Sequence, residues 1–101
     1  MSKAITLIEA KIKAYAYLKE NPVLINRMEL IIIDEYTIEF EYGWAFFYQT
    51  KKFIETGDIF DAIVVGALIV NKFTGNLFET GTARTAEEYI EEYVEECRSK
   101  F

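Results

Sequence analysis

A run of alternating aromatic and aliphatic side chains between residues 38 and 48 constrains this chain more than any other feature. A period of two is typical of a β-strand with one buried face. The pattern predicts one long strand that bends at Gly43. A tight hairpin at Tyr42 and Gly43 is the alternative. The even positions, all large and apolar, should then form the core: Ile38, Phe40, Tyr42, Trp44, Phe46 and Tyr48.

The odd positions of this strand change character at the glycine. Glu39 and Glu41 precede it and are polar, whereas Ala45 and Phe47 follow it and are apolar. We therefore expect the first half to face solvent on one side and the second half to be covered on both.

Residues 2–20 predict a helix, because glycine and proline are absent until Pro22. The cap is either Ser2 or Thr6, and Thr6 with Glu9 forms a capping-box pattern. The helix is apolar on two faces, of which one should pack on the sheet and the other under a loop or the C-terminal helix. A face left uncovered predicts a homodimer through the N-terminal helix. The two candidate faces are Ile5, Ile8, Ile12 and Tyr15, and Leu7, Ala10, Ala14 and Leu18.

A second helix is predicted near the C-terminus. Thr85 and Glu88 form a capping-box pattern, and Arg98 and Lys100 suit the negative end of the helix dipole. One apolar stripe repeats at spacings of three and four: Ala86, Tyr89, Ile90, Tyr93, Val94 and Cys97.

Between the helices, residues 29–34, 62–70 and 77–80 predict further strands. Residues 22–27 predict a connector, 51–58 a loop, and Gly75 a left-handed turn residue. The order predicts an α+β fold, with an antiparallel sheet of four to five strands flanked by an N-terminal and a C-terminal helix in a two-layer sandwich. We expect one domain over residues 1–101.

The residue types that carry catalysis are scarce. Histidine is absent, and the single cysteine, Cys97, lies on the apolar stripe of a helix, where packing is its expected role. The serines, Ser2 and Ser99, lie near the ends of the chain, and no glycine-rich phosphate loop occurs. We therefore expect no catalytic residue, no metal site, no cofactor and no enzymatic activity.

The formal charge of −6 disfavours nucleic acid and anionic membranes as partners. The longest apolar run, residues 62–70, is shorter than the ~20 residues of a membrane span, and no secretory pattern follows Met1. We expect a bacterial cytoplasmic protein with a protein partner of basic surface. The candidate partner-binding residues are Glu35, Glu39, Glu41, Glu87, Glu88, Glu91 and Glu92. Trp44, Phe46, Tyr48 and Gly75 are expected to be structural.

Residues 42–58 resemble the immunity protein 35 family, also called YrhB-like, through Gly43-Trp44-Ala45-Phe46-Phe47 and Glu55-Thr56-Gly57-Asp58. Thr74-Gly75-Asn76-Leu77-Phe78 and Gly81-Thr82 extend the resemblance, which covers about residues 29–94. Residues 64–68 depart from it, because a more polar segment is typical there. The resemblance implies a small α+β protein that neutralises a cognate toxin of a bacterial polymorphic toxin system. It assigns no contact residue, since the shared residues mark the core.

Three functions follow as hypotheses. The first is an immunity protein that inhibits its toxin by stoichiometric binding. The second is a housekeeping chaperone-like or protein-binding module without a toxin partner. The third is an enzyme or small-ligand domain with a pocket lined by Trp44 and Tyr48, which a filled interface between sheet and helix would exclude.

Overall fold

The computed structural model describes residues 4–20, 29–63 and 65–100. Three helices and six strands lie in these ranges, with 3₁₀ turns at Asp34–Tyr36 and Ile59–Asp61. The helices are α1 (Leu7–Glu20), α2 (Lys51–Thr56) and α3 (Ala86–Lys100). The strands are β1 (Leu30–Ile32), β2 (Ile38–Phe40), β3 (Gly43–Phe46), β4 (Tyr48–Thr50), β5 (Leu68–Asn71) and β6 (Leu77–Glu79). The connector predicted at 22–27 lies outside the described residues.

The strands form two antiparallel sheets. One sheet has the order β2-β3-β5-β6, and the other pairs β1 with β4. Only Phe47 separates β3 from β4, so the chain passes directly from one sheet to the other. The Phe47 carbonyl accepts a hydrogen bond from the Ile33 N–H at 2.7 Å, which continues the β1-β4 pairing beside this junction.

Successive residues of β3 point to opposite faces of the four-stranded sheet, and each face carries a helix. Trp44 and Phe46 pack in one core with α1, whereas Ala45 packs in a second core with Ile90 of α3. The α+β class, the antiparallel pairing and the two flanking helices are as predicted. The layers differ from the prediction: the sheet lies between the two helices, which makes three layers rather than two.

The predicted long strand is instead a hairpin, as in the alternative, but the turn lies one residue earlier than Tyr42 and Gly43. Phe40 pairs with Gly43, so only Glu41 and Tyr42 form the turn. Across such a turn residue i is opposite residue i+3, so each even-numbered residue of β2 is opposite an odd-numbered residue of β3. The even-numbered residues before and after the turn therefore lie on opposite faces of the sheet. Ile38 and Phe40 pack on the α3 side, whereas the even residues of β3 pack on the α1 side. A count of alternating residues cannot detect this reversal, because the period of two continues through the turn.

The segment predicted as a loop at 51–58 contains helix α2. The Thr50 hydroxyl caps its start by accepting from the Phe53 N–H at 3.0 Å. Gly57, at φ +70°, ends the helix in a left-handed conformation, and its N–H donates to the Phe53 carbonyl at 2.7 Å. Both caps are visible in the sequence, but a helix of six residues is too short to show an amphipathic period.

The strand predicted at 62–70 is shorter in the structure. It begins at Leu68, and Val64 lies outside the described residues. Just before it, the Ala67 N–H donates to the hydroxyl of Thr80 at 2.7 Å instead of to a strand carbonyl. A side-chain acceptor therefore ends the ladder where the apolar pattern alone predicts its continuation.

Both predicted capping boxes form. In α1 the Thr6 N–H donates to the Glu9 carboxylate at 3.0 Å, and the Glu9 N–H donates to the Thr6 hydroxyl at 3.2 Å. Thr85 and Glu88 make the reciprocal pair at α3, at 3.1 and 3.2 Å. Gly75 has φ +75°, as the turn pattern predicts.

Candidate protein-interaction surfaces

The carboxylates predicted to bind a partner lie on two sides of the sheet. Glu39 pairs with Trp44 in the β2-β3 register, and residues directly opposite each other share a face. Glu39 therefore lies on the α1 side. It is 3.3 Å from the Lys72 ammonium, which in turn lies 5.1 Å from the centre of the Trp44 ring.

The turn that contains Glu35 contacts α1. Glu35 lies in the 3₁₀ turn next to Asp34, whose carboxylate is 2.7 Å from the Lys11 ammonium of α1. Glu41 is instead linked to α3, because its carboxylate accepts from the Arg98 guanidinium at 3.1 Å. The structure thus separates Glu35 and Glu39 from Glu41 and the helix glutamates.

The outward surface of α3 is strongly acidic. Ile90 and Cys97 are buried on its inner side, and the glutamates are exposed. Glu87, Glu91 and Glu95 form a row at a spacing of four, beside a second row of Glu88 and Glu92. We call these five residues the acidic helix face. Of the residues the structure describes, none forms an ion pair with Glu87 or Glu91 within 4.0 Å.

Two members of the acidic helix face already have local roles. The backbone N–H and hydroxyl of Thr85 hold the pKa of Glu88 below its ordinary value. Glu92 forms an ion pair with Arg84 at 2.6 Å. Glu87, Glu91 and Glu95 therefore carry most of the charge that remains available to a partner.

Two aromatic residues of β3 and β4 are buried against α1. Trp44 and Tyr48 are buried in one cluster with Ala10, Ala14 and Leu18 of α1. Their burial in this cluster gives no support to the hypothesis of a ligand pocket lined by Trp44 and Tyr48. The lone thiol is also interior: Cys97 is buried, and burial raises its pKa.

Burial also raises the pKa of Tyr48 to about 12, and the charges of Glu79 and Tyr17 add to the effect. In the unfolded chain the tyrosine titrates near its ordinary 10.0, so the folded state binds this proton more tightly. This contribution to stability is complete below pH 10 and is lost as the pH rises through 12. We expect urea unfolding to show a loss of stability between these pH values that is smaller in Tyr48→Phe. Tyr36→Phe, at an exposed position, should retain the full loss.

The structure shows an exposed apolar surface at Ile59 and Phe60 that was not predicted from the sequence. Phe60 is 94% exposed and Ile59 is 76% exposed, and both lie in the 3₁₀ turn that follows Gly57. We call residues 57–61 the Phe60 loop. Two adjacent large apolar residues after the turn signal Gly57-Asp58 were the available clue, because turn segments are usually polar.

The Phe60 loop contributes to two clefts. Phe60 lines a cleft of about 650 Å³ together with Glu29, Lys51, Lys52 and Glu55. Ile59 lines another of about 470 Å³, whose wall also includes Phe47 and Arg84. Each cleft therefore has one exposed apolar side chain of the loop in its wall.

A second apolar surface lies on α1. Ile8 is 71% and Ile12 is 64% exposed, whereas the Tyr15 hydroxyl accepts a hydrogen bond from the Ile32 N–H at 3.0 Å. α3 packs on the opposite face of the sheet, so of the two predicted covers for this surface the C-terminal helix is excluded. The homodimer through Ile5, Ile8, Ile12 and Tyr15 stays a prediction. The other predicted face is used internally, since Ala10, Ala14 and Leu18 are buried.

Within residues 4–20, 29–63 and 65–100, no three histidine, cysteine, aspartate or glutamate side chains are grouped to hold a metal ion. No helix in the same ranges combines the length and hydropathy needed to cross a membrane. The described features are those of a small α+β protein with exposed acidic and apolar surfaces suited to contact with another protein.

Comparison with known proteins identifies the family. The family model described as Immunity protein 35 matches residues 8–94, and the chain belongs to this family. A protein of Escherichia coli (strain K12), named Uncharacterized protein YrhB, is 36% identical over 55 residues. That match covers 54% of this chain and 58% of the E. coli protein. No solved structure matches the chain.

Proposed function

We propose that this chain is an immunity protein that binds a cognate bacterial toxin one to one and blocks it without catalysis. Membership of the immunity protein 35 family is the observation that carries the proposal. Two features support it. The sequence lacks histidine, and the chain presents concentrated charge on one helix, a pattern that suits recognition of a basic protein.

The acidic helix face is the proposed steering surface. Its glutamates are exposed and carry the same sign as the whole chain, so their field extends into solvent and accelerates encounter with a basic toxin. Exposed charges add little to final affinity, because water screens them. The face should therefore act mainly on the association rate.

The test is a titration and kinetic measurement with the purified product of the adjacent gene, inactivated if toxic. We expect one-to-one binding whose association slows with salt. Neutralising Glu87, Glu91 and Glu95 together as glutamines should reduce the association rate about tenfold at low salt. The difference should vanish near about 1 M salt, where the Debye length is about 3 Å.

A matched control removes the same number of charges from the α1 side, as Asp34→Asn, Glu35→Gln and Glu39→Gln. This variant should slow association less than the α3 variant. Equal effects would mean that net charge alone guides encounter and would exclude a specific role for α3. Absence of any binding by the wild-type protein would overturn the immunity proposal.

The exposed Ile8 and Ile12 favour a second candidate, a chaperone-like binding module. Such a protein would suppress aggregation of unrelated unfolding proteins, and truncating these two side chains would abolish the effect. An immunity protein would bind one partner and leave that aggregation unchanged.

A further inference from the structure

The Phe60 loop holds two large apolar side chains that the fold does not use. Phe60 and Ile59 lie almost wholly in solvent, and Ile54 of the adjoining α2 is also exposed. A single exposed apolar residue is ordinary, but an adjacent pair next to a third forms a local apolar patch. Aromatic side chains of this kind are enriched among the residues that dominate protein–protein binding energies.

The loop is held rigidly from within. The Phe60 N–H donates to the Asp58 carboxylate at 3.0 Å, and the Asp58 N–H donates to the Thr56 hydroxyl at 3.1 Å. The same hydroxyl donates to the Asp61 carboxylate at 2.9 Å. These bonds fix the backbone that carries Phe60, so little conformational entropy remains to be lost when a partner binds.

The loop is also attached to the sheet at its far end. The Gln49 side chain of β4 donates to the Ile63 carbonyl at 2.7 Å and accepts the Ile63 N–H at 3.0 Å. The Thr50 hydroxyl donates to the Asp61 carbonyl, and Lys52 lies 3.6 Å from the Asp61 carboxylate. The exposed side chains are therefore presented on a rigid element, which is the arrangement that a preformed binding site requires.

The charges around the loop indicate the chemistry of its partner. The acidic residues outnumber the basic ones, with Glu29, Glu55, Asp58 and Asp61 against Lys51, Lys52 and Arg84. Two of these cations are already paired, Lys52 with Asp61 and Arg84 with Glu92. A negative surround disfavours both nucleic acid and a second copy of the same acidic loop. A protein with an apolar recess and a basic rim is complementary to it.

We propose that the Phe60 loop is the apolar anchor of the toxin interface, with Phe60 and Ile59 inserted into a basic-rimmed recess of the toxin. The inference rests on the proposed function and adds the contact surface to it. The two surfaces would then affect different rate constants. The acidic helix face raises the association rate, and the Phe60 loop lowers the dissociation rate.

The experiment measures binding of the inactivated adjacent-gene product to the full chain. Phe60→Ala should weaken binding about 30-fold, mostly through faster dissociation. Thr56→Val, which removes two internal bonds and leaves Phe60 in place, should weaken it by a smaller factor. The control Tyr36→Ala removes an aromatic side chain that is 62% exposed in another turn and should change the dissociation constant less than about threefold.

The outcomes separate the two proposals. Binding by the wild type with an unchanged dissociation constant in Phe60→Ala overturns the inference and leaves the immunity function standing. Failure of the wild type to bind overturns both. A wild-type dimer in light scattering that Phe60→Ala converts to a monomer would assign the loop to a second copy and also overturn the inference.

Discussion

Replacing Phe46 by alanine is expected to lower the free energy of unfolding by about 3–5 kcal/mol. The Phe46 side chain has 0% exposure and lies in the core between the sheet and α1, beside Trp44 and Leu68. Truncation removes apolar contacts and leaves a cavity that a paired central strand cannot close. Domains of this size are stable by roughly 5–15 kcal/mol, so the variant should show a much lower urea midpoint.

Phe60→Ala is the matched control for this measurement. It makes the same substitution at a residue that is 94% exposed, and its unfolding free energy should stay within about 0.5 kcal/mol of the wild type. An equal loss at the two positions would contradict the assignment of Phe46 to the core. If the unfolding free energy of Phe60→Ala equals that of the wild type, the expected binding defect of this variant does not arise from unfolding.

Gly43→Ala is expected to lower the free energy of unfolding by about 3 kcal/mol. The cause is a steric clash and not the backbone conformation of the glycine. A Cβ at Gly43 would overlap the carbonyl oxygen of Val70 and lie 2.9 Å from its carbonyl carbon. The obstacle is backbone in the paired strand β5, where Gly43 is opposite Asn71. The two central strands would have to separate to accept one methyl group.

Gly57→Ala provides the comparison. Gly57 has φ +70°, and a Cβ there would meet nothing within 4 Å. Its replacement should cost only the left-handed penalty of about 1 kcal/mol. Urea unfolding of both variants distinguishes the two causes, and a larger loss at Gly57 than at Gly43 would contradict the close approach of β3 to β5.

The placement of the acidic residues shows how the function depends on the fold. Seven glutamates were candidates for a single partner surface, yet Glu39 lies on the α1 side of the sheet and Glu35 lies in a turn that contacts α1. The hairpin turn at Glu41 and Tyr42 reverses which strand residues face α1. A prediction that overlooks this hairpin turn therefore assigns the carboxylates before it to the wrong face of the sheet.

Local features were determined by the sequence alone. The two capping boxes and the left-handed Gly75 each depend on residues within about four positions of one another. The aromatic motif around Trp44 and the segment after it were sufficient to indicate the family to which the chain belongs. These features can be recognised from the sequence because the residues that form them are close together along the chain.

The tertiary structure alone decided the hairpin, the opposite placement of α1 and α3, and the exposure of Phe60. Each depends on which distant elements meet. Alternation is the same for a long strand and a hairpin, and an apolar residue in a turn has the same sequence pattern whether it is covered or exposed. Only the packing of β5 against Gly43, and of each helix against its own face of the sheet, removes these ambiguities.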